Sequence, residues 1–450
     1  MNAGFILVYL AAQVLIGLWL ARRMKTESDY FLGGRNVGLA MVAFSLFATW
    51  FGAETCLGSS GQVYGRGLSG SRADPFGFTL CLVLMGLLLA ARLRAGKYVT
   101  LADYFRVRYG PLVEKAAVWV MIPSSLIWGA AQLRAFGQII SATTLWPITL
   151  TIVLSAVFIV FYTYLGGLLG DIYTDLLQGI MIIIGLCVLL ATVVGDWTNV
   201  KDALAAMEPA RLSFIAPGES LLQRLDRWMV PILGSLVTQE TLARVLAARS
   251  PSIARRASYL AAGLYFLVGV IPVFLGLIGP TLLPGLPDQE QFLVHLSSGL
   301  LPRFLFILFA GALLSAILST TDSILLAVSA LLSHNLVFPL LRIEKERTRV
   351  LVARVGVAAA GAAACVIAIL GGGIYNLVVT ASAFGTAGVL VITLAGLHSR
   401  AGGKWAALGA LGTGLLMTLL GQYVLGLPAP FLTAVLAAAA VFGAGAVLKW

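Results

Sequence analysis

Charge is what this sequence has least of. Only 11% of its 450 residues are Asp, Glu, Lys or Arg, 60% are hydrophobic, and the mean hydropathy is +0.97. A soluble domain carries about 25% charged residues, so this composition cannot build a water-facing surface and excludes soluble enzymes and disordered proteins. Cysteine is also scarce. Cys56, Cys81, Cys187 and Cys365 lie in apolar stretches without CxxC or CxxH spacing, which argues against a disulfide framework and a zinc site. The net charge of +11 comes without the aromatic-interleaved basic patch that would direct it to nucleic acid. No basic segment precedes the first apolar run, Phe5 to Leu20, and its positive cluster follows it, so a retained helix is expected over a cleaved signal. The longest loops, Gly195 to Arg227 and Gly279 to Arg303, are too short for a soluble catalytic or sensor domain. Nothing in the sequence calls for an obligatory protein partner.

What is abundant is apolar sequence in stretches long enough to cross a lipid bilayer. Thirteen such spans read at roughly 5–20, 39–61, 76–91, 116–140, 148–165, 176–194, 228–246, 259–278, 304–332, 350–370, 374–397, 405–424 and 431–448. The expected class is an all-α polytopic membrane protein of the cell (plasma or inner) membrane. Placing the N-terminus outside and the C-terminus in the cytoplasm puts 22 of the 30 basic residues in cytoplasmic segments or at the span ends beside them and seven outside, with Arg134 alone deep within a span. That bias follows the positive-inside rule, so the +11 reads as an orientation signal.

An ionisable side chain within a span costs at least about 2.5 kcal/mol at the helix centre, which makes each one a functional candidate. They are Glu54, Arg134, Asp175, Glu240 and Asp322. The second span, FSLFATWFGAETCLGSSG, places Gly52 beside Trp50, Glu54 and Thr55. Two readings fit it: an unwound turn that frees backbone carbonyls for a cation, or a continuous helix packed closely through small residues. In the ninth span Ala316, Ser319, Thr320 and Ser323 fall at i, i+3, i+4 and i+7, a polar stripe on a Leu and Ile helix, with Asp322 alongside. Hydroxyl oxygens suit a small hard cation, although in membrane helices they also bond the i−4 carbonyl. Asp175, near the start of the sixth span, is either a helix-dipole partner or a cation ligand.

These residues, together with DYFLGGRNVG, AETCLGSSGQVYGRGLSG, GGLLGDIYTDLLQGIM and STTDS in that order, resemble the sodium:solute symporters over nearly the whole chain. Within them the sequence looks most like the high-affinity choline transporter branch. The resemblance implies a LeuT-like fold, ten core helices in two inverted five-helix repeats (39–194 and 228–397), with an added helix at 5–20 and two more at 405–448. It implies sodium as the coupling ion and no organic cofactor. The shared sodium site would use the carbonyls of Ala48, Phe51 and Ala316 and the hydroxyls of Ser319 and Thr320. A second sodium site of some members would place Asp175 against Ser319, Asp322 and Ser323.

The expected solute pocket is Trp50, Glu54, Thr55, Trp128, Arg134, Thr238 and Gln239. Trp50 and Trp128 match two positions of the choline cage, but Thr238 stands where a tryptophan is expected, Glu54 where that branch has glycine and Arg134 where it has serine. An arginine repels choline and suits a carboxylate bidentately, and Glu54 suits an ammonium group. The expectation is therefore import of a small carboxylate-bearing or zwitterionic solute. The alternatives are a quaternary-amine transporter, proton in place of sodium coupling, a transporter-fold sensor without net transport, or a Glu54–Arg134 ion pair that only locks two helices. Trp128 and Arg134 are six positions apart, about 240° around a helix, and cannot share one narrow face.

Overall fold

The computed structural model describes residues 26–144 and 146–448. The expected first span at 5–20 and the basic residues Arg22, Arg23, Lys25 and Lys449 lie outside the described residues. All regular structure among these residues is helical; one isolated bridge joins Val37 and Ala248.

The described residues open with a short helix α1 (Glu27–Leu32), held by a reciprocal Thr26–Asp29 capping box. Helices α2 (Leu39–Trp50) and α3 (Glu54–Gly70) meet at 50°, so the second span is broken where Gly52 sits. Then follow α4 (Arg72–Ala95), α5 (Leu101–Tyr109), α6 (Pro111–Thr144) and α7 (Ile148–Gly195). At 48 residues α7 would measure about 72 Å if straight, more than twice a bilayer core. It folds back at Gly167, whose φ of +50° and ψ of −169° suit glycine alone. The fold is visible in the 2.8 Å bond between Tyr162 and Thr174, which a straight helix would hold about 18 Å apart. Gly167→Ala is expected to cost about 1–3 kcal/mol, read as a lowered thermal midpoint in detergent.

The second half contains α8 (Trp197–Ala205), α9 (Leu221–Leu233), α10 (Gln239–Ala247), α11 (Pro251–Leu282), α12 (Phe292–Leu300) and α13 (Arg303–Leu332). After it come α14 (Glu346–Leu370), α15 (Ile374–Ala383), α16 (Thr386–His398), α17 (Lys404–Leu419) and α18 (Pro430–Val447). The α15–α16 pair bends by 42°. Eight helices among the described residues are long and apolar enough to cross a membrane, or ten if each bent pair is one span. Helix α13 is the axis of the bundle. Every residue from Phe309 to Leu331 is buried, as expected of a helix apolar nearly all round, and it packs against α6, α7, α14 and α2. Its Ser and Thr stripe therefore faces protein.

Ion clusters close both ends of α4. Near Arg72, the Glu219 carboxylate receives Arg72 at 2.7 Å and Arg227 at 3.0 Å. Burial acts to raise the Glu219 carboxyl, but hydrogen bonds and charge from Arg72 outweigh it and hold the group below its ordinary range. A depressed acid stabilises the fold above its unfolded pKa and loses that contribution as pH falls through the lowered value. The stability difference between wild type and Glu219→Gln is thus expected to persist at neutral pH and vanish only on acidification below about 4.5. At the other end, Arg94 donates to the Ala248 carbonyl. Nearby, His334 bridges Glu27 and Asp103, and Arg349 reaches Glu27 at 3.1 Å.

Candidate functional site

Three groups of buried polar atoms surround the α2–α3 break. In the first, α2 ends at Trp50 and exposes carbonyls that a continuous helix would consume. The Thr320 hydroxyl lies 3.4 Å from the Ala48 carbonyl and 3.1 Å from that of Ala316. Gly52 fits this space because it has no side chain: a Cβ there would stand 2.6 Å from Thr320 Oγ1, 3.3 Å from Gln132 Oε1 and 3.4 Å from the Ala316 carbonyl. Four oxygens thus converge beside the break. Phe51 packs its ring on Phe47 and Tyr265 at 4.7 and 5.5 Å.

The second group lies one turn further along α13. Ser45 and Ser319 both donate to the Asp175 carboxylate. Asp171, four residues earlier on the same face of α7, accepts from Ser323 at 3.1 and 3.2 Å. Into this set comes Arg244 from α10, fully buried. Its Nη2 pairs with Asp171, donates to Ser323 and lies 3.6 Å from Asp175; Nε donates to Ser45 at 3.2 Å and Nη1 to the Glu240 carbonyl at 3.0 Å. Asp322 is buried beside them, its Oδ1 without a hydrogen bond. The residues expected to share a second sodium ion are therefore together, with a guanidinium among them. Arg244, one of the 22 basic residues that the positive-inside count places on the cytoplasmic side, lies two residues from the end of the seventh expected span and is buried inside the bundle, not exposed as a loop charge.

The third group is aromatic and acidic. Trp50 lies against Phe78 and Trp128 at ring separations of 5.2 and 6.2 Å. Glu54 is 3% exposed and lines a cavity of about 110 Å³ with Phe78, Tyr375 and Arg227. Thr55 donates at 2.5 Å to Asp74, a carboxylate 2% exposed that also accepts from the Tyr265 hydroxyl at 3.0 Å.

The remaining expected pocket residues point elsewhere. Arg134 donates to the carbonyls of Ala368 and Gly371 at 2.9 and 3.1 Å, closing the C-terminus of α14 where a cation complements the helix dipole. It makes no ion pair with Glu54. Gln239 accepts from the Leu101 amide at 2.9 Å, and Thr238 bonds Ser235 and Thr241, each at 3.1 Å. Sequence reasoning missed Asp171, Arg244 and Asp74. The i, i+4 spacing of Asp171 and Asp175 was a usable signal, whereas Asp74, just ahead of the third span, reads as a loop residue.

A bundle of apolar helices, broken at its centre with buried oxygens converging on the break, is the construction of a secondary transporter. The chain belongs to the sodium:solute symporter family, whose model matches residues 30–416. It is 28% identical over 406 residues to the high affinity choline transporter 1 of Homo sapiens, covering 83% of this chain and 68% of that one. It is also 28% identical over 365 residues to a sodium/proline symporter of Staphylococcus aureus, covering 76% and 69%. A solved sodium-coupled sialic acid symporter in its outward-open state superposes with a TM-score of 0.80 at 18% identity, covering 99% of this chain and 98% of that one. Membership of this family makes the chain a sodium-coupled membrane transporter, not an enzyme.

Proposed function

We propose that this protein imports a small organic solute with one sodium ion per cycle. The sodium site consists of the Ala48, Phe51 and Ala316 carbonyls and the Thr320 hydroxyl, with Ser319 completing it when its hydroxyl turns from Asp175. The observation that carries this reading is the placement of Thr320 Oγ1 between the Ala48 and Ala316 carbonyls, beside a glycine whose missing side chain leaves the space open. Unwound carbonyls and hydroxyls at a helix break are the donors a hard monovalent cation requires. Asp175, Ser319, Asp322 and Ser323, which would hold a second ion, already face the Arg244 guanidinium; a fixed cation there supports one sodium over two.

The proposed architecture has thirteen spans, with the N-terminus outside and the C-terminus in the cytoplasm of the cell membrane. Two inverted repeats, 39–194 and 228–397, rock around the break. Sodium entering its site stabilises the state open to the outside, the solute binds beside Trp50 and Trp128, and both are released after the repeats rock. Because binding of each ligand favours the same state, each raises the affinity for the other. One sodium ion moving through 100 mV contributes about 2.3 kcal/mol, close to a 50-fold concentration ratio for a neutral solute. Proteoliposomes with an inward sodium gradient test the coupling. Solute is expected to accumulate above the outside concentration and to stop doing so when potassium replaces sodium; accumulation indifferent to sodium would refute it.

A further inference from the structure

The outer faces of α7 and α14 leave between them an apolar groove of about 510 Å³. On the α7 side it is walled by Val157, Phe161 and Tyr164, which share one helical face. On the α14 side Ala358, Ala362 and Cys365 are too small to fill it. Val157 is 64% and Phe161 54% exposed, so the groove opens outward to the bilayer, not inward to the bundle. From Val153 to Tyr164 the α7 wall runs about 17 Å, close to one leaflet of a hydrocarbon core about 30 Å thick.

One end of the groove is charged. Arg354, one turn before Ala358 on the same face of α14, holds its guanidinium 5.2 Å over the Tyr164 ring. Its Nε has no hydrogen bond. No carboxylate pairs with it among the described residues, because the acids at that end, Glu27 and Glu346, are held by Arg349 at 3.1 and 3.5 Å. Arg347, two turns earlier on the same face, is exposed and also without an ion pair among the described residues. Both arginines stand where the proposed orientation puts the cytoplasmic leaflet, the leaflet that carries anionic lipids, and basic pockets between helices on that side suit their headgroups.

We propose that this groove binds a phospholipid with a net anionic headgroup, one acyl chain lying along α7 and α14 and the phosphate paired with Arg354 and Arg347. The open apolar walls call for hydrocarbon, and a groove one leaflet long fits a single chain. The unpaired guanidinium groups set the headgroup: each presents a fork of donors to phosphate oxygens. A choline headgroup would bring its own cation to two arginines, so the site discriminates against it.

Native mass spectrometry of the full chain in a neutral detergent, titrated with phosphatidylglycerol, phosphatidylcholine or glycerol 1-phosphate, tests the site. Saturable retention of one phosphatidylglycerol per chain is expected, with an affinity at least about 5-fold above that for phosphatidylcholine. Arg354→Gln is expected to remove that preference. Ala362→Phe fills the groove from an exposed position and is expected to remove the retention itself. Arg256→Gln, which deletes an exposed cation near the start of α11, is the control and is expected to change neither. Equal retention of both lipids, or a preference that survives Arg354→Gln, would overturn the proposal and leave the groove to neutral lipid or to another protein segment. Glycerol 1-phosphate competing as well as the intact lipid would also overturn it, since the arginines would then hold a soluble anion without the chain.

Discussion

Replacing Arg244 with alanine is expected to abolish transport and to remove about 3–5 kcal/mol of stability, the cost of breaking a buried ion pair by taking away one partner. The reasoning follows from the charge count. Asp171, Asp175 and Asp322 sit together with one guanidinium, and Arg244 is fully buried. Its removal leaves carboxylates with no fixed counter-charge and strips donors from Ser45, Ser323 and the Glu240 carbonyl. Arg244→Lys is expected to recover only part of the loss, because an ammonium is a point charge and cannot reach both the Asp171 side and the α10 carbonyl as the planar fork does. Arg244→Gln combined with Asp171→Asn removes charge in balance and is expected to regain most of the stability without regaining transport. Thermal unfolding of the purified variants, with uptake measured on the same preparations, checks all three.

Gly52→Ala is expected to disable sodium binding while leaving the fold largely intact. The added methyl would stand 2.6 Å from the Thr320 hydroxyl, closer than a carbon and an oxygen can approach, so Thr320 must turn from the Ala48 carbonyl or the α2–α3 break must widen. Overpacking of this kind costs about 1–3 kcal/mol. Its functional effect is larger, because a cation site depends on ligand positions within tenths of an ångström. Thr320→Val approaches the same site from the other side, keeping the volume and removing the oxygen. Both variants are expected to weaken sodium affinity by at least the ~10- to 100-fold that loss of a supporting group costs at metal sites. Alanine at Gly170, where a Cβ meets nothing within 4 Å, is the matched control and is expected to leave sodium affinity unchanged.

Periodicity made the elements of the fold legible, and single residues made the break legible. A glycine among Trp, Phe and Ala in an apolar span marked the place but left an unwound turn and close packing both open; the chain unwinds at Gly52 and also packs Thr320 closely against it. The stripe on α13 was likewise readable, because Ala316, Ser319, Thr320 and Ser323 recur at helical spacing. What remained hidden was pairing at a distance. Arg244 and Asp171 are separated by 73 positions, and nothing local to either announces the other. Arg134 stood out as the one basic residue deep within an expected span, away from its ends, which invited a substrate role. Sequence could not show that the end of α14 arrives at its level with carbonyls to satisfy. Asp74 escaped notice for the opposite reason: a charged residue before a proline reads as loop, and only the packing of Thr55 and Tyr265 around it reveals a buried carboxylate.

Equilibrium binding of radioactive sodium to the purified protein tests the central claim most directly. The account predicts saturable binding of one ion per chain, lost in Gly52→Ala and Thr320→Val. Saturable binding that survives both substitutions, binding of two ions per chain, or no saturable binding at all would contradict it.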